Sequence, residues 1–301
     1  MATGNGQEKV LETTSDVGSS SILVPLQVRL TFGARTDRGK KRENNEDHFV
    51  VARLAKSMQV CKSSLPDDGT CHFSDEEGYL MVVADGMGGA AGGERASALA
   101  VGSLERFVLN TFKWFLHLEG REQSVLFEQL RQGLARADHS VVARAQADPS
   151  LYGMGTTLTM AYSVGTDLFI AHAGDSRAYV FHDGSLEQIT QDHTLVQVLV
   201  ETGGISAEQA KHDKRRNIVT NVVGGPHEGV RAEIHRLLLA DGDVLLLCSD
   251  GLSDPVGDET IAEVLAQAND PDVACNRLID LALERGGPDN VTAIVARYDF
   301  D

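Results

Sequence analysis

Between residues 155 and 190, four apolar segments (TTLTMAYSV, DLFIAHAG, RAYVFHDG and SLEQIT) follow one another with only Gly- and Asp-containing turns between them. Links this short cannot return a chain in the parallel sense, which takes a crossover of about a dozen residues or more. The segments therefore predict antiparallel strands joined by tight turns. The helix-periodic stretches are grouped differently. Apolar residues spaced by three and four recur over 92–118 and 124–146, and again over about 258–268 and 271–285, so helices come in pairs and do not alternate with strands. That order excludes a doubly wound parallel sheet and predicts an α+β fold.

Further strands are expected from PLQVRLTFGART onward, at 48–55 and 79–84, at VRAEIHRLLL and DVLLLCSD, and in the closing VTAIVARYDF. Residues 56–77, with LPDDGT and SDEEG, read as an exposed loop or hairpin excursion. Residues 1–22 are polar and Gly/Ser/Thr-rich and are expected to be a disordered tail. The rest, 23–301, reads as one domain, since no period of about 20 to 50 residues repeats and no linker interrupts it.

With 42% hydrophobic residues the 301-residue chain has ample material for a core, and with aromatics at 5% that core must be mainly aliphatic. A formal charge of −17 argues against nucleic acid and anionic membranes as partners. No apolar run approaches the roughly 18 residues of a membrane span, and the N-terminus lacks the pattern of a secretory signal, so a cytoplasmic protein is expected. The cysteines (Cys61, Cys71, Cys248, Cys275) form no CxxC pair and are expected to be reduced.

The chemistry is concentrated in acids at strand ends. Asp85 closes the apolar run YLMVVA and is followed by GMGG; Asp250 closes VLLLCS; Glu46 and Asp47 stand in RENNED, Asp175 in HAGDSRAY and Asp289 in GGPDNVT. Each alone is explained by turn propensity. Together, carboxylates at the ends of buried strands cost several kcal/mol per group unless a cation binds them. Oxygen-only ligands select hard ions such as Mg²⁺ or Mn²⁺. One competing pattern, Gly86-x-Gly88-x-x-Ala91, matches a dinucleotide loop. However, Asp85 would face the pyrophosphate, and no strand ending in an acid follows about twenty residues on.

RENNEDHF, VVADGMGG, GTTLTMAYS, AHAGDSRAYVFHDG, ITQDHTLV, LLLCSDGLSD and GGPDNVTAIV occur in the order found in the type 2C, metal-dependent Ser/Thr protein phosphatases of bacteria, and the chain resembles that family over roughly residues 28–298. The resemblance implies a four-layer α-β-β-α sandwich, two stacked antiparallel β-sheets flanked by helix pairs, with a small flap subdomain at about 193–229. It implies two tightly bound Mn²⁺ or Mg²⁺ ions and a weaker third. Asp85 would bridge the pair, with Asp250 and Asp289 completing the first ion's shell. The carbonyl of Gly86 would join the second ion, with Glu46 acting directly or through water and Asp47 supporting from outside. Asp175 with Asp250 would hold the third ion, and Arg42 would grip the substrate phosphate as a bidentate fork.

The implied reaction is direct attack of a metal-bridging hydroxide on phosphoserine or phosphothreonine in a protein, opposing a Ser/Thr kinase, by a monomer. The alternative is a non-catalytic regulatory module on the same fold, which would be expected to have lost one of the carboxylates. The chain departs from the family at Met87 and Ala90, where relatives carry histidines, so no protein general acid is assigned. His48, His172 and His193 are read as structural. The basic run KHDKRRN (211–217) is either an attractor for phosphopeptides or a solvated surface run.

Overall fold

The computed structural model describes residues 28–59, 62, 71–88, 92–111, 121–226 and 228–300. The expected tail, Cys61 and Ala90 lie outside them. Two antiparallel sheets form the centre. One is five-stranded, in the order β1 (Val28–Asp37), β12 (Val291–Phe300), β11 (Val244–Cys248), β7 (Arg177–His182), β8 (Ser185–Gln188). The other is seven-stranded: β10 (Glu233–Leu238), β6 (Asp167–Ala173), β5 (Leu158–Val164), β3 (Cys71–Met87), β4 (Gly155–Thr156) and β9 (Val223–Gly224), with β2 (Asp47–Gln59) also paired to β3. Every pairing is antiparallel.

The central strands are apolar at nearly every position because both of their faces are covered. Successive side chains of a strand point to opposite faces. Along β3, Met81 and Val83 enter the core between the sheets, where they meet Leu245 and Leu247 of β11 and Ile294 of β12. Leu80, Val82 and Ala84 point the other way, onto helices α1 (Gly92–Thr111) and α2 (Arg121–Ala147). Along β11 and β12, Leu246, Cys248, Ala293 and Val295 face α6 (Asp258–Gln267) and α7 (Pro271–Glu284). Three aliphatic cores thus separate four layers, the α-β-β-α sandwich that the motif order implies.

Helix α7 starts at Pro271 behind the Asp270 cap, whose side chain accepts from the Asp272 N–H. Between β8 and β9 lie two short helices, α3 (Leu195–Glu201) and α4 (Ala207–Lys211), each capped by a hydroxyl, from Thr194 and Ser206. Of the two readings of 56–77, the hairpin holds over the described residues: β2 runs on to Gln59 and β3 begins at Cys71, with Gln59 opposite Cys71 and an irregularity between Ala55 and Ser57; LPDDGT lies outside the described residues.

Candidate active site

Antiparallel pairing brings strand ends and strand starts to the same edge. β1 and β11 end beside the start of β12, since Asp37 lies opposite Val291 and Cys248 opposite Ala293; β7 starts there too, with Arg177 opposite Cys248. In the second sheet, Asp47 at the start of β2 lies opposite Asp85 near the end of β3. Acids at these ends, far apart in the chain, therefore converge. A cavity of about 420 Å³ at this edge is lined by Arg42, Glu46, Asp85, Gly86, Asp175, Asp250 and Asp289, together with Glu43, Asn44, Met87, Gly88, Asn217, Val219 and Asn290. The structure thus brings together every residue expected at the site except Asp47, which is buried and does not line the cavity.

The backbone around Asp85 is held on both sides. Its N–H donates to Thr157 Oγ1 at 2.9 Å, and its carbonyl accepts from Thr157 N and Thr156 Oγ1, both at 2.8 Å. The glycines that follow are needed for close approach. A Cβ on Gly86 would stand 2.2 Å from the Gly93 carbonyl oxygen, and one on Gly93 would stand 2.4 Å from Glu46 Oε2. The Asp85 turn, the start of α1 and the Glu46 loop therefore pack backbone to backbone, leaving Glu46 at the cavity wall.

Electrostatically the cluster is frustrated. Burial raises the Asp85 carboxyl well above the ordinary range, and Asp47, Asp250, Asp175 and Asp289 push it further. Asp250, the first residue of the short helix α5 (Asp250–Ser253), is raised well above its ordinary value by burial and then by Asp175 and Asp254. Asp175 is pushed up to about 7, by burial and then Asp192, and Asp47 to about 6, chiefly by burial. Burial also raises Glu46. Among the described residues lining the cavity the basic one is Arg42, whose Nη2 donates to Asp289 Oδ2 at 2.6 Å. Arg42 is exposed and bound to a carboxylate of the cluster, an engagement that its position in GKKRENN did not disclose. Asp47 Oδ1 and Asp250 Oδ1 are buried without a hydrogen-bond partner. Hard oxygen donors, partly protonated for want of positive charge and with bare buried oxygens among them, suit divalent cations.

Sequence reasoning missed the residues that hold these acids in place. Asp47 Oδ2 accepts from Ser249 Oγ and Thr292 Oγ1, both at 2.7 Å. Asn290 accepts from Glu46 N at 2.8 Å and donates to the carbonyls of Arg38 and Asn44. Ser97 donates to the Glu46 carbonyl at 2.6 Å. The available signal was polarity out of place: Ser249, Asn290 and Thr292 interrupt otherwise apolar strand ends and are buried.

The segment 193–229 closes one side of the cavity through Asn217 and Val219. Both arginines of the basic run within it are engaged. Arg215 forks onto Asp213, and Arg216 reaches Asp254, just after α5, at 3.1 Å. His48 contacts Ser97 Oγ at 3.0 Å, and His172 and His193 stack with ring centroids 4.9 Å apart.

The fold is that of one family. A model of the protein phosphatase 2C family matches residues 59–277. The serine/threonine protein phosphatase PstP of Mycobacterium tuberculosis (strain H37Rv) is 40% identical over 277 residues, covering 90% of this chain and 46% of that protein. The serine/threonine phosphatase Stp of Listeria monocytogenes is 32% identical over 267 residues, 88% of this chain and 95% of that protein. The crystal structure of M. tuberculosis PstP/Ppp superimposes with a TM-score of 0.72 at 37% identity, over 90% of this chain and 99% of that one. The PstP catalytic domain in complex with two manganese ions does so with a TM-score of 0.70 at 36% identity, over the same shares. The chain belongs to the protein phosphatase 2C family, and it spans about half the length of the PstP relatives it matches. Among the described residues no helix is long and apolar enough to cross a membrane.

Proposed function

We propose that this chain is a metal-dependent phosphatase acting on phosphoserine and phosphothreonine in proteins, opposing a Ser/Thr kinase. The observation that carries the reading is the convergence of Glu46, Asp85, Asp175, Asp250 and Asp289 on one cavity with Arg42 at its rim. Asp85, Asp250 and Asp289, with the Gly86 carbonyl and Glu46, would hold two Mn²⁺ or Mg²⁺ ions. Asp175 with Asp250 would hold a third, more weakly, because fewer protein carboxylates reach it. Asp47 supports from behind through its bonds to Ser249 and Thr292. When bound, such ions supply positive charge for phosphoryl oxygens and lower the pKa of water for in-line attack.

The chain's own contribution is orientation. Arg42 brings a planar fork of donors to the cavity mouth, matched to two phosphoryl oxygens. To reach them it would give up Asp289, whose charge bound cations would balance. Asn290, Ser97 and the Gly86–Gly93 contact fix Glu46, and Thr156 and Thr157 fix Asp85, so the ligand set is built before the substrate arrives. No covalent enzyme intermediate is called for: among the described residues no cysteine lines the cavity, and Cys248 and Cys275 are buried in the core, their thiols pushed up to about 12, chiefly by burial.

The test is phosphate release from a panel of phosphoserine and phosphothreonine peptides with Mn²⁺, Mg²⁺, Zn²⁺ or chelator. Release is expected with Mn²⁺ or Mg²⁺ and abolished by chelator. Turnover that survives chelation, or that zinc alone restores, would overturn the reading.

A further inference from the structure

His172, His193 and Glu233 lie beside the cavity, not in it, and their ligand atoms fall within 4.8 Å of one another. The trio has the composition of a zinc site, yet hydrogen bonds or ion-pair contacts engage every ring nitrogen of the two histidines. His172 Nε2 faces the carbonyls of Gly174 (3.0 Å) and Gln191 (3.2 Å), so it carries the proton, while Nδ1 meets the Thr159 hydroxyl at 2.8 Å. His193 Nδ1 faces two donors, the backbone N–H of Gly174 at 3.1 Å and the side-chain amide of Asn221 at 3.0 Å. It can only accept, so the proton of His193 sits on Nε2, directed at Glu233 Oε2 3.1 Å away. Glu233 is in turn engaged by His235 and by the Gln191 N–H. Burial favours the neutral form of His172, held down at about 4, which allows the two rings to stack.

The position of His193 in the chain gives this network a purpose. Its backbone N–H donates to the Gly174 carbonyl at 2.7 Å, and its own carbonyl accepts from Thr220 N at 2.7 Å. Thr194 bridges to Val219, and Leu195 N donates to the Ile218 carbonyl at 2.8 Å, so the segment that closes the cavity enters and leaves at His193. Asn221, on the exit side, is fixed by reciprocal bonds with the Arg231 backbone. Gly174 carries Asp175, has φ of +125°, and is wedged so that a Cβ would stand 2.5 Å from the side chain of Thr157, the residue that holds Asp85.

We infer that His193 is a positioning residue: its neutral, Nε2-protonated imidazole ties the Gly174–Asp175 turn and the exit of the 193–229 segment to Glu233. The inference rests on the proposed phosphatase reading for its effect on turnover, but not for the network itself.

Nitrogen-15 imidazole spectra of the metal-free wild-type protein read the tautomer directly; a protonated Nε2 and bare Nδ1 on His193 are expected, and the opposite tautomer overturns the inference. Three variants separate the two arms of the ring. His193→Ala removes both, His193→Asn keeps an acceptor near the Nδ1 position, and His193→Gln keeps a donor near the Nε2 position. Amide hydrogen exchange at Gly174, in metal-free protein, should rise about tenfold or more in His193→Ala and His193→Gln and return toward wild type in His193→Asn. With Mn²⁺, kcat of His193→Ala should fall about tenfold on a small aryl phosphate with KM nearly unchanged, since misplacing a positioned group costs rate more than binding. Unchanged Gly174 exchange in His193→Ala, or a loss of melting temperature with kcat intact, refutes the positioning role. If no variant turns over any phosphate ester because the proposed function is wrong, the tautomer and exchange measurements still decide the network.

Discussion

Replacing Asp175 by Asn should stabilise the metal-free protein, and the size of the effect follows from the site. The carboxyl of Asp175 is almost wholly buried and is raised from 3.8 to about 7, chiefly by burial and next by Asp192. The folded chain therefore holds a proton that the unfolded chain releases near pH 4. Between about pH 4 and 7 the folded state binds more protons, so wild-type stability falls as pH rises through that window. Each factor of ten in proton affinity is worth about 1.4 kcal/mol, which sets an upper bound of about 4 kcal/mol above pH 7. Neighbouring carboxylates take up protons in its place when Asp175 ionises, so about half of that is expected to survive.

The amide of Asp175→Asn has nearly the carboxylate's shape and no titration. Relative to wild type in chelator, the variant should gain about 2 kcal/mol at pH 7.5, or about 5 °C in melting temperature for a domain of this size. The gain should shrink toward zero near pH 4.5, where the wild-type group is protonated. Saturating Mn²⁺ should reverse the order, since the cation binds the carboxylate and not the amide. Thermal melts at a series of pH values, with chelator and with Mn²⁺, measure all of this. A pH-independent difference would show that packing and not charge is responsible, and a variant less stable than wild type in chelator at pH 7.5 would refute the picture of a cluster awaiting cations.

Arg42→Ala should raise KM about tenfold and leave kcat within about threefold, because a phosphate fork holds ground state and transition state alike; a fall in kcat at constant KM would assign Arg42 another role. Arg216→Ala cuts the half-exposed pair to Asp254 and should cost less than about 1 kcal/mol of stability. Neutralising the whole run KHDKRRN should weaken turnover of phosphopeptides more than of a small aryl phosphate, and equal losses on both would show that the run supports the fold and not recognition.

The layers were legible because the strands are so apolar. Runs such as LMVVA and VLLLC have no polar face to offer water, so each had to be covered on both sides, and the helical stretches come in the two pairs that do it. The acids were legible for a related reason: a carboxylate directly after such a run stands where two buried faces end. Less was visible where the outcome depends on tertiary placement. A hairpin was one of two readings at 56–77, but the reach of β2 to Gln59 and of β3 back to Cys71 was not legible, because SDEEG leaves no apolar alternation to read. The short α5 is a single turn after Ser249, too short for any period. The engagement of Arg215 with Asp213 and of Arg216 with Asp254 compensates both arginines of the basic run.

Asn290, Ser249 and Thr292 show what a sequence reading of such a site should ask next. An acid at a strand end is itself unstable there, so its neighbours must supply donors, and those donors are as buried as the acid. Asp47 lies nearly out of water and is tolerable because one of its oxygens takes two hydroxyl bonds. The other oxygen has none, and Asp250 shares that condition. Had the cluster been selected for stability alone, these oxygens would have been partnered or the carboxylates replaced by apolar groups, as buried charges commonly can be without loss. Instead, donors are supplied to the rear oxygen of Asp47 and to the carbonyls of Glu46 and Asp85, while the basic residue lining the cavity is Arg42. The polar residues fix where the acids are without satisfying every carboxylate oxygen, so those oxygens are left for a cation.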